Sequence, residues 1–239
     1  MISKSEIKSI TQLQQKKYRD LRTLFIAEGP KVIRELIAER VALRSLYTTE
    51  ISAAYEVPAT QITQQELKKI SNLKTANTAL AVFEKPDPQK IEDSGLIVAL
   101  DAVRDPGNLG TIIRLCDWFG VAQLLCSQDT ADCYNPKVIQ ATMGSIARVS
   151  VHYVSLEETF RNSTLPIFGA FMDGSTVYKK KLPQEGIIVM GNEANGISDK
   201  ISALISERIS IPQFGKTTTE SLNVATATAI LLSEFKRAY

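Results

Sequence analysis

Residues 96–114, Leu96-Ile97-Val98-Ala99-Leu100-Asp101-Ala102-Val103-Arg104-Asp105-Pro106-Gly107-Asn108-Leu109-Gly110-Thr111-Ile112-Ile113-Arg114, decide the fold of this 239-residue chain. The first five are apolar without interruption, as a strand covered on both faces must be. Pro106-Gly107 turns the chain, and Asn108 is placed as the N-cap of a helix expected from Asn108 to Phe119. A buried strand, a polar loop and a helix, in that order, form the unit of a parallel α/β sheet. Further apolar runs at 123–126, 166–171, 187–190 and 208–211 repeat the rhythm, with helical patterns between several of them. A long closing helix is expected over Ser221–Arg237, with Ser221 as its cap and Asn223 in its first turn.

Toward the N-terminus, Lys85-Pro86-Asp87-Pro88-Gln89-Lys90 sets two prolines among charges, which disfavours helix and sheet alike. The expected organisation is therefore a front domain over 1–85, a linker over 86–94 and a second domain over 95–239. The front piece reads as a small α/β domain. It offers a helix over 5–17, a strand Leu24–Glu28, and a helix opened by Gly29-Pro30 with the stripe Val32, Ile33, Leu36 and Ile37. A last segment spans Ala79–Phe83.

Charge is unevenly spread. Residues 1–90 hold 15 Lys/Arg against 10 Asp/Glu, whereas residues 91–239 hold 13 against 16. A basic front end beside a mildly acidic remainder points to an anionic partner. Lys16, Lys17, Arg19 and Arg22 form the densest basic cluster and are the candidate RNA-phosphate contacts; a solvated helix face accounts for them equally well.

Several classes are excluded or unsupported. No apolar run reaches the roughly 18 residues of a membrane span, and the polar Met1–Ser9 is no signal peptide, so a cytoplasmic protein without membrane contact is expected. Cys116, Cys126 and Cys133 are odd in number and form no C-x-x-C, which supports neither a disulfide framework nor zinc. The single His152 sits in an apolar strand-like stretch and builds no metal site alone. No metal is expected. No G-x-G-x-x-G or G-x-S-x-G occurs. Gly215-Lys216-Thr217 lacks the upstream glycine of a phosphate loop, since Ser210 holds that place.

Ligands of open parallel sheets bind beyond the carboxyl ends of strands. Three such loops concentrate glycine, asparagine and charge here. The first is Asp101–Arg114. The second is Met190-Gly191-Asn192-Glu193-Ala194-Asn195-Gly196, and the third runs from Ile211-Pro212 to Ser221-Leu222-Asn223-Val224. Taken singly, each can also be an ordinary capped or polar turn.

In order and spacing across 96–239, the three loops resemble the three motifs of the SpoU/TrmH family of RNA 2′-O-methyltransferases, in the SPOUT superfamily. Asn108, Gly110 and Arg114 match the first motif. Gly191, Glu193 and Gly196 match the second. Ile211-Pro212 with Ser221-Leu222-Asn223-Val224 match the third. Gln213 stands where many relatives carry methionine, and the loop Gln213–Glu220 is long and threonine-rich. The resemblance implies a SPOUT domain with a C-terminal trefoil knot, preceded by a substrate-binding domain, and a homodimer acting on structured rRNA or tRNA. It implies S-adenosylmethionine (SAM) as methyl donor, surrounded by Gly169, Ala170, Met190, Gly191, Ile211, Pro212 and Leu222. Asn108, Arg114, Glu193, Ser221 and Asn223 would form the reaction site, with Arg114 in the activating role; a guanidinium is too basic to accept a proton readily, so phosphate orientation and alkoxide stabilisation stand beside it. Two alternatives remain at this point: an RNA-binding protein of the same fold without catalysis, and a SPOUT enzyme methylating a base nitrogen.

Overall fold

The computed structural model describes residues 2–50, 55–215 and 221–237. The chain forms two compact units, one built from 1–88 with 132–147 and the other from 89–131 with 148–239.

The front unit opens with α1 (Lys4–Gln12) and α2 (Lys16–Arg22), where the sequence pattern predicts a single helix over 5–17. Ser3 and Glu6 form a reciprocal capping box at the start of α1. The interruption leaves the carbonyls of Leu13 and Gln14 without helical donors, and the Arg19 guanidinium takes both at 2.8 Å. There follow β1 (Leu24–Glu28), α3 (Pro30–Ala38), β2 (Leu43–Thr48), β3 (Thr60–Gln61), α4 (Gln64–Ile70) and β4 (Ala79–Glu84). Gly29 precedes α3 at φ 88°, a conformation that disfavours a side chain. The sheet order is β1-β4-β2-β3, antiparallel except for the β2–β3 pair. Ile10, Leu13, Ile26, Leu67, Ile70 and Leu80 fill its core.

The second unit carries a six-stranded, all-parallel sheet. Its elements are β5 (Leu96–Leu100), α5 (Pro106–Trp118), β6 (Gln123–Cys126), β7 (Ser150–Tyr153), α7 (Leu156–Asn162), β8 (Ile167–Thr176), β9 (Gly186–Met190), α8 (Asp199–Ser202), β10 (Glu207–Ser210) and α9 (Val224–Lys236). The strand order is β10-β8-β9-β5-β6-β7. Every residue of β5 and β9 is buried, as their unbroken apolar composition requires. Successive strands run outward from β5 to β7. The chain then crosses back to β8, and β9 inserts between β8 and β5. This reversal of direction makes the carboxyl ends of β5 and β9 a topological switch point.

The remaining piece, 132–147, belongs to the front unit although it lies between β6 and β7. The sequence reading placed it with 95–239. It contains α6 (Pro136–Thr142), capped by Asn135, and a 3-10 turn at Ser145–Ala147. Tyr134 packs its ring against Phe25 at 5.0 Å, and the Lys85 ammonium sits 4.9 Å from the Tyr134 centroid. Asp132 accepts from Arg19 at 2.5 Å, with Arg19 only 2% exposed. Arg19 therefore does not present its charge to an RNA phosphate.

Two cap assignments also differ from the sequence reading. Asp105, not Asn108, caps α5, accepting from the Asn108 backbone at 2.8 Å. Asn223, not Ser221, caps α9, accepting from the Ala225 and Thr226 backbones at 3.0 and 3.2 Å. The three cysteines are buried and none forms a disulfide, and burial pushes the Cys116 thiol up to about 12. Among the described residues no helix is long and apolar enough to cross a membrane. Lys216 and Thr217, with the rest of 216–220, lie outside the described residues.

Candidate active site

The three sequence loops converge at the switch point of the parallel sheet. The loop after β5 begins with Asp101, whose carboxylate accepts from the Ser198 backbone at 2.7 Å. Ala102 next adopts φ 57°, a left-handed conformation that costs a non-glycine residue energy. It is held there on both sides: its N–H donates to Ser127 Oγ at 2.8 Å, and its carbonyl accepts from Asn192 Nδ2 at 2.7 Å. Asn192 also organises its own loop, because its Oδ1 accepts from the Ala194 and Asn195 backbones. Asp101 and Asn192 are structural ties that the sequence motifs did not single out.

Asn108 joins the loops. Its Nδ2 donates to Glu193 Oε1 at 2.6 Å, and its Oδ1 accepts from Asn223 Nδ2 at 2.9 Å. Asn223 serves twice, since its oxygen caps α9 while its amide nitrogen reaches Asn108. One amide thus links residues 85 and 115 positions away along the chain. This is possible because Asp105 takes over the capping of α5 and leaves the Asn108 side chain available.

Beside this cluster lies a cavity of about 620 Å³. Of the residues expected around SAM, Ala170, Met190, Gly191, Ile211, Pro212 and Leu222 line it, as do Glu193 and Ser221 from the expected reaction site. Gly169 does not. Its missing side chain instead makes room for Ile205 and Phe171. Gly191 lines the cavity, but a Cβ there would run into the backbone of Gly196 and Ile197. That glycine serves the close return of its own loop, where Asn192 and Gly196 exchange backbone hydrogen bonds at 2.9 and 2.8 Å. A strand-ending glycine fits either a sharp turn or close ligand approach, and the tight return accounts for it here.

One wall comes from an irregularity in β8. Its pairing with β10 runs from Gly169 opposite Arg208 directly to Ser175 opposite Ile209, so residues 170–174 leave the ladder. Ala170, Phe171 and Met172 consequently face the cavity. The opposite wall comes from α9, through Val224, Ala227 and Leu231. None of Phe171, Met172, Ala227 or Leu231 was expected from the motifs, because their neighbours in space are distant in sequence.

Arg114 stands apart. It is exposed on α5, outside the cavity lining. Six helical residues separate it from Asn108, roughly 9 Å along the axis and a third of a turn off in direction. Trp118, one turn further on the same side, is 82% exposed.

The cavity suits SAM chemically. Its volume lies within the roughly 300–1,000 Å³ of small-molecule sites. Ile211, Pro212 and the half-exposed Leu222 give apolar surface for a purine ring. Asn192, Glu193 and Ser221 bring polar groups to one side.

Comparison with known proteins agrees with this arrangement. Residues 95–233 match the SpoU rRNA methylase family, and residues 4–81 match the MRM3-like substrate binding domain. The chain is similar to the 23S rRNA (guanosine(2553)-2′-O)-methyltransferase RlmP of Bacillus subtilis, at 25% identity over 236 residues, covering 95% of this chain and 94% of that one. A solved TrmH-family structure from Porphyromonas gingivalis superposes with a TM-score of 0.90 at 36% identity over the whole of both chains. An AdoMet-bound rRNA methyltransferase from Sinorhizobium meliloti superposes with a TM-score of 0.87 at 26% identity, covering 100% of this chain and 97% of that one. The fold and its three-loop site define an α/β methyltransferase. The chain belongs to the SpoU rRNA methylase family.

Proposed function

We propose that this protein is a SAM-dependent RNA 2′-O-methyltransferase that acts on ribosomal RNA, with Asn108, Glu193, Ser221 and Asn223 at the reaction site. The observation that carries the reading is the Asn108 amide bridge between Glu193 and Asn223 at the edge of the 620 Å³ cavity. The relatives' names supply the substrate class.

SAM brings a methyl group activated by its positive sulfur. The residues of this chain have the rest of the task. Ile211, Pro212 and Leu222, with Ala170 and Met190, hold the donor by apolar contact. The Asn108–Glu193–Asn223 cluster fixes acceptors and donors where the ribose must lie, so that its hydroxyl oxygen approaches in line; positioning of this kind supplies several kcal/mol of a barrier. The hydroxyl proton must leave as the oxygen attacks, and the Glu193 carboxylate is an acceptor-only group at that place.

We further infer a homodimer in which Arg114 acts across the subunit boundary. Its support is the exposure of Arg114 outside the lining of its own chain's cavity and the exposed Trp118 beside it. A second copy covering this face of α5 would bury Trp118 and bring an arginine to a bound phosphate, where a guanidinium forms bidentate contacts. Residues after β9 and after β10 wrap one cavity, which supports the C-terminal knot expected of the family. Lys16, Lys17 and Arg22 remain candidates for RNA contact, with Arg22 already donating to Ser9.

The deciding experiment transfers labelled methyl from SAM to ribosomal RNA and identifies the modified nucleoside by mass spectrometry. A ribose 2′-O-methyl nucleoside is expected. A methylated base, or SAM binding without transfer, would replace this reading with one of its two alternatives. Sedimentation together with the emission of Trp118, the chain's one tryptophan, tests the dimer; a fully active monomer with a solvent-exposed emission spectrum would rule it out.

A further inference from the structure

The front unit holds a second cavity, of about 280 Å³, between β1, the segment after α4 and α6. Ile26 and Glu28 line it from β1, Asn72 from the segment after α4, and Lys137, Gln140 and Ala141 from α6. Ile26 and Glu28 are two residues apart and so share one face of the strand. We propose that this cavity binds a single guanine base of the RNA, extruded from its stack, as a recognition site separate from the reaction site. The proposal rests on the RNA-methyltransferase reading above.

Glu28 carries the argument. It is 5% exposed, and among the described residues no cation pairs with it. Buried carboxylates are costly unless their oxygens are satisfied. Here each oxygen takes one protein donor: Ser71 Oγ at 2.5 Å and the Asn72 backbone N–H at 2.7 Å. An ionised carboxylate has about four acceptor sites, so roughly half its capacity remains for a ligand. The two protein donors also fix its orientation. Glu28 is therefore a rigid, acceptor-only group lining a concave site.

The chemistry selects the ligand. The Watson–Crick edge of guanine carries two adjacent donors, N1–H and N2–H, which match the two oxygens of one carboxylate. Adenine, cytosine and uracil each place an acceptor beside their single donor there, and that acceptor would face the carboxylate. The O6 of guanine needs a donor, and the Gln140 amide lines the same cavity. Leu73, Pro136 and Ala141 give apolar surface for the ring, and the exposed Lys137 offers its charge to the attached phosphate. The cavity falls just below the roughly 300–1,000 Å³ typical of drug-sized ligands, which suits one ring system rather than a length of strand. Proteins read RNA sequence chiefly through such unstacked bases.

The test titrates GMP, AMP, CMP and UMP separately into the full chain, followed by methyl NMR at Ile26 and Ala141. GMP is expected to shift both signals at lower concentration than the other three. Glu28→Gln should weaken GMP by at least about tenfold, the scale of hydrogen bonds to a charged group, with an unchanged melting temperature. Ala141→Leu fills the cavity from α6 without touching Glu28. It should abolish the GMP response and raise KM for ribosomal RNA while leaving kcat in place. Should Glu28→Gln unfold, Ala141→Leu decides alone. Equal responses to all four nucleotides, no response at Ile26 and Ala141, or GMP binding undiminished in Ala141→Leu would overturn the proposal. Methyl transfer by the parent, measured in parallel, judges the proposed function independently: GMP binding without transfer would sink that function and keep the pocket.

Discussion

Replacing Arg19 by alanine separates a structural arginine from an RNA-binding one. The guanidinium is 2% exposed and Asp132 is 12% exposed, so water screens the pair little. The side chain donates twice to Asp132, at 2.5 and 3.2 Å, and once each to the carbonyls of Leu13 and Gln14. Among the described residues, alanine would leave the carboxylate with no cation and only the Tyr134 N–H at its other oxygen, and both carbonyls without their donor. Breaking one side of a buried pair costs about 3–5 kcal/mol, a large share of the roughly 5–15 kcal/mol that stabilises a typical domain. At about 2–4 °C per kcal/mol for chains of this size, the melting temperature should fall by roughly 6–20 °C. Arg19→Met combined with Asp132→Leu should recover the part of the loss that comes from the unpaired carboxylate, because an apolar pair of similar bulk leaves no charge unpaired, while the two carbonyls still lack their donor. Urea melts of the parent, both single variants and the double variant give the coupling energy directly. Below its lowered melting temperature, Arg19→Ala should keep the RNA affinity of the parent and the salt dependence of that affinity. A loss under about 1 kcal/mol, or a melting temperature held while RNA affinity drops, would refute the reasoning and return Arg19 to the RNA surface.

Four further outcomes are expected. Arg114→Ala should fold and bind SAM, yet lose at least about a hundredfold in single-turnover methyl transfer, with little rescue by Arg114→Lys; near-parental turnover would remove it from the mechanism. Asn108→Ala should cost only about 1–2 kcal/mol in a thermal melt, since Asp105 still caps α5, while transfer falls by a comparable hundredfold; parental rates would disprove the bridge as a catalytic frame. Gly191→Ala should destabilise by about 1–3 kcal/mol, as overpacking does, because a methyl group meets the Gly196–Ile197 backbone; an unchanged melt with weakened SAM binding would instead point to direct ligand approach. His152 is buried in β7 with Nε2 unpartnered, and burial lowers its pKa below the usual 6.5. Its neutral form is favoured on folding, so stability should be full above about pH 6.5 and decline as pH falls below it, where the unfolded chain takes up a proton first. His152→Leu should flatten that decline, and melts at pH 7.5, 6.5 and 5.5 would reveal its absence.

The parallel α/β fold was legible because β5 and β9 are continuous apolar runs; the expected limits of β1, β5 and β6 coincide with those observed. The caps were not legible to the residue. Asp105 and Asn108 both suit an N-cap, and so do Ser221 and Asn223; the choice depends on tertiary contacts. Asn108 is drawn out of its local role by Glu193 and Asn223, each far along the chain. Arg19 read as one basic residue among neighbours because its acceptor, Asp132, is 113 positions away. The departure of residues 170–174 from the β8 ladder had no sequence signal either, since Gly174 meets the Ile209 backbone only once β10 is in place.

The allotment of residues 132–147 to the front unit bears on how such an enzyme can be divided or recombined. The polypeptide passes between the two units three times, near 88, 131 and 147. The front unit is therefore not a bead on an N-terminal string. A fragment beginning at residue 91 would carry α6 without the β1 surface on which it packs, and would expose Val138 and Ile139, now 0% and 1% accessible. Grafting a different substrate-binding module onto this catalytic sheet would require exchanging two separate stretches of gene together. Inheritance of the front module should be coupled to the stretch between β6 and β7, so that substitutions at Arg19 and Asp132, or at Phe25 and Tyr134, change as pairs across lineages.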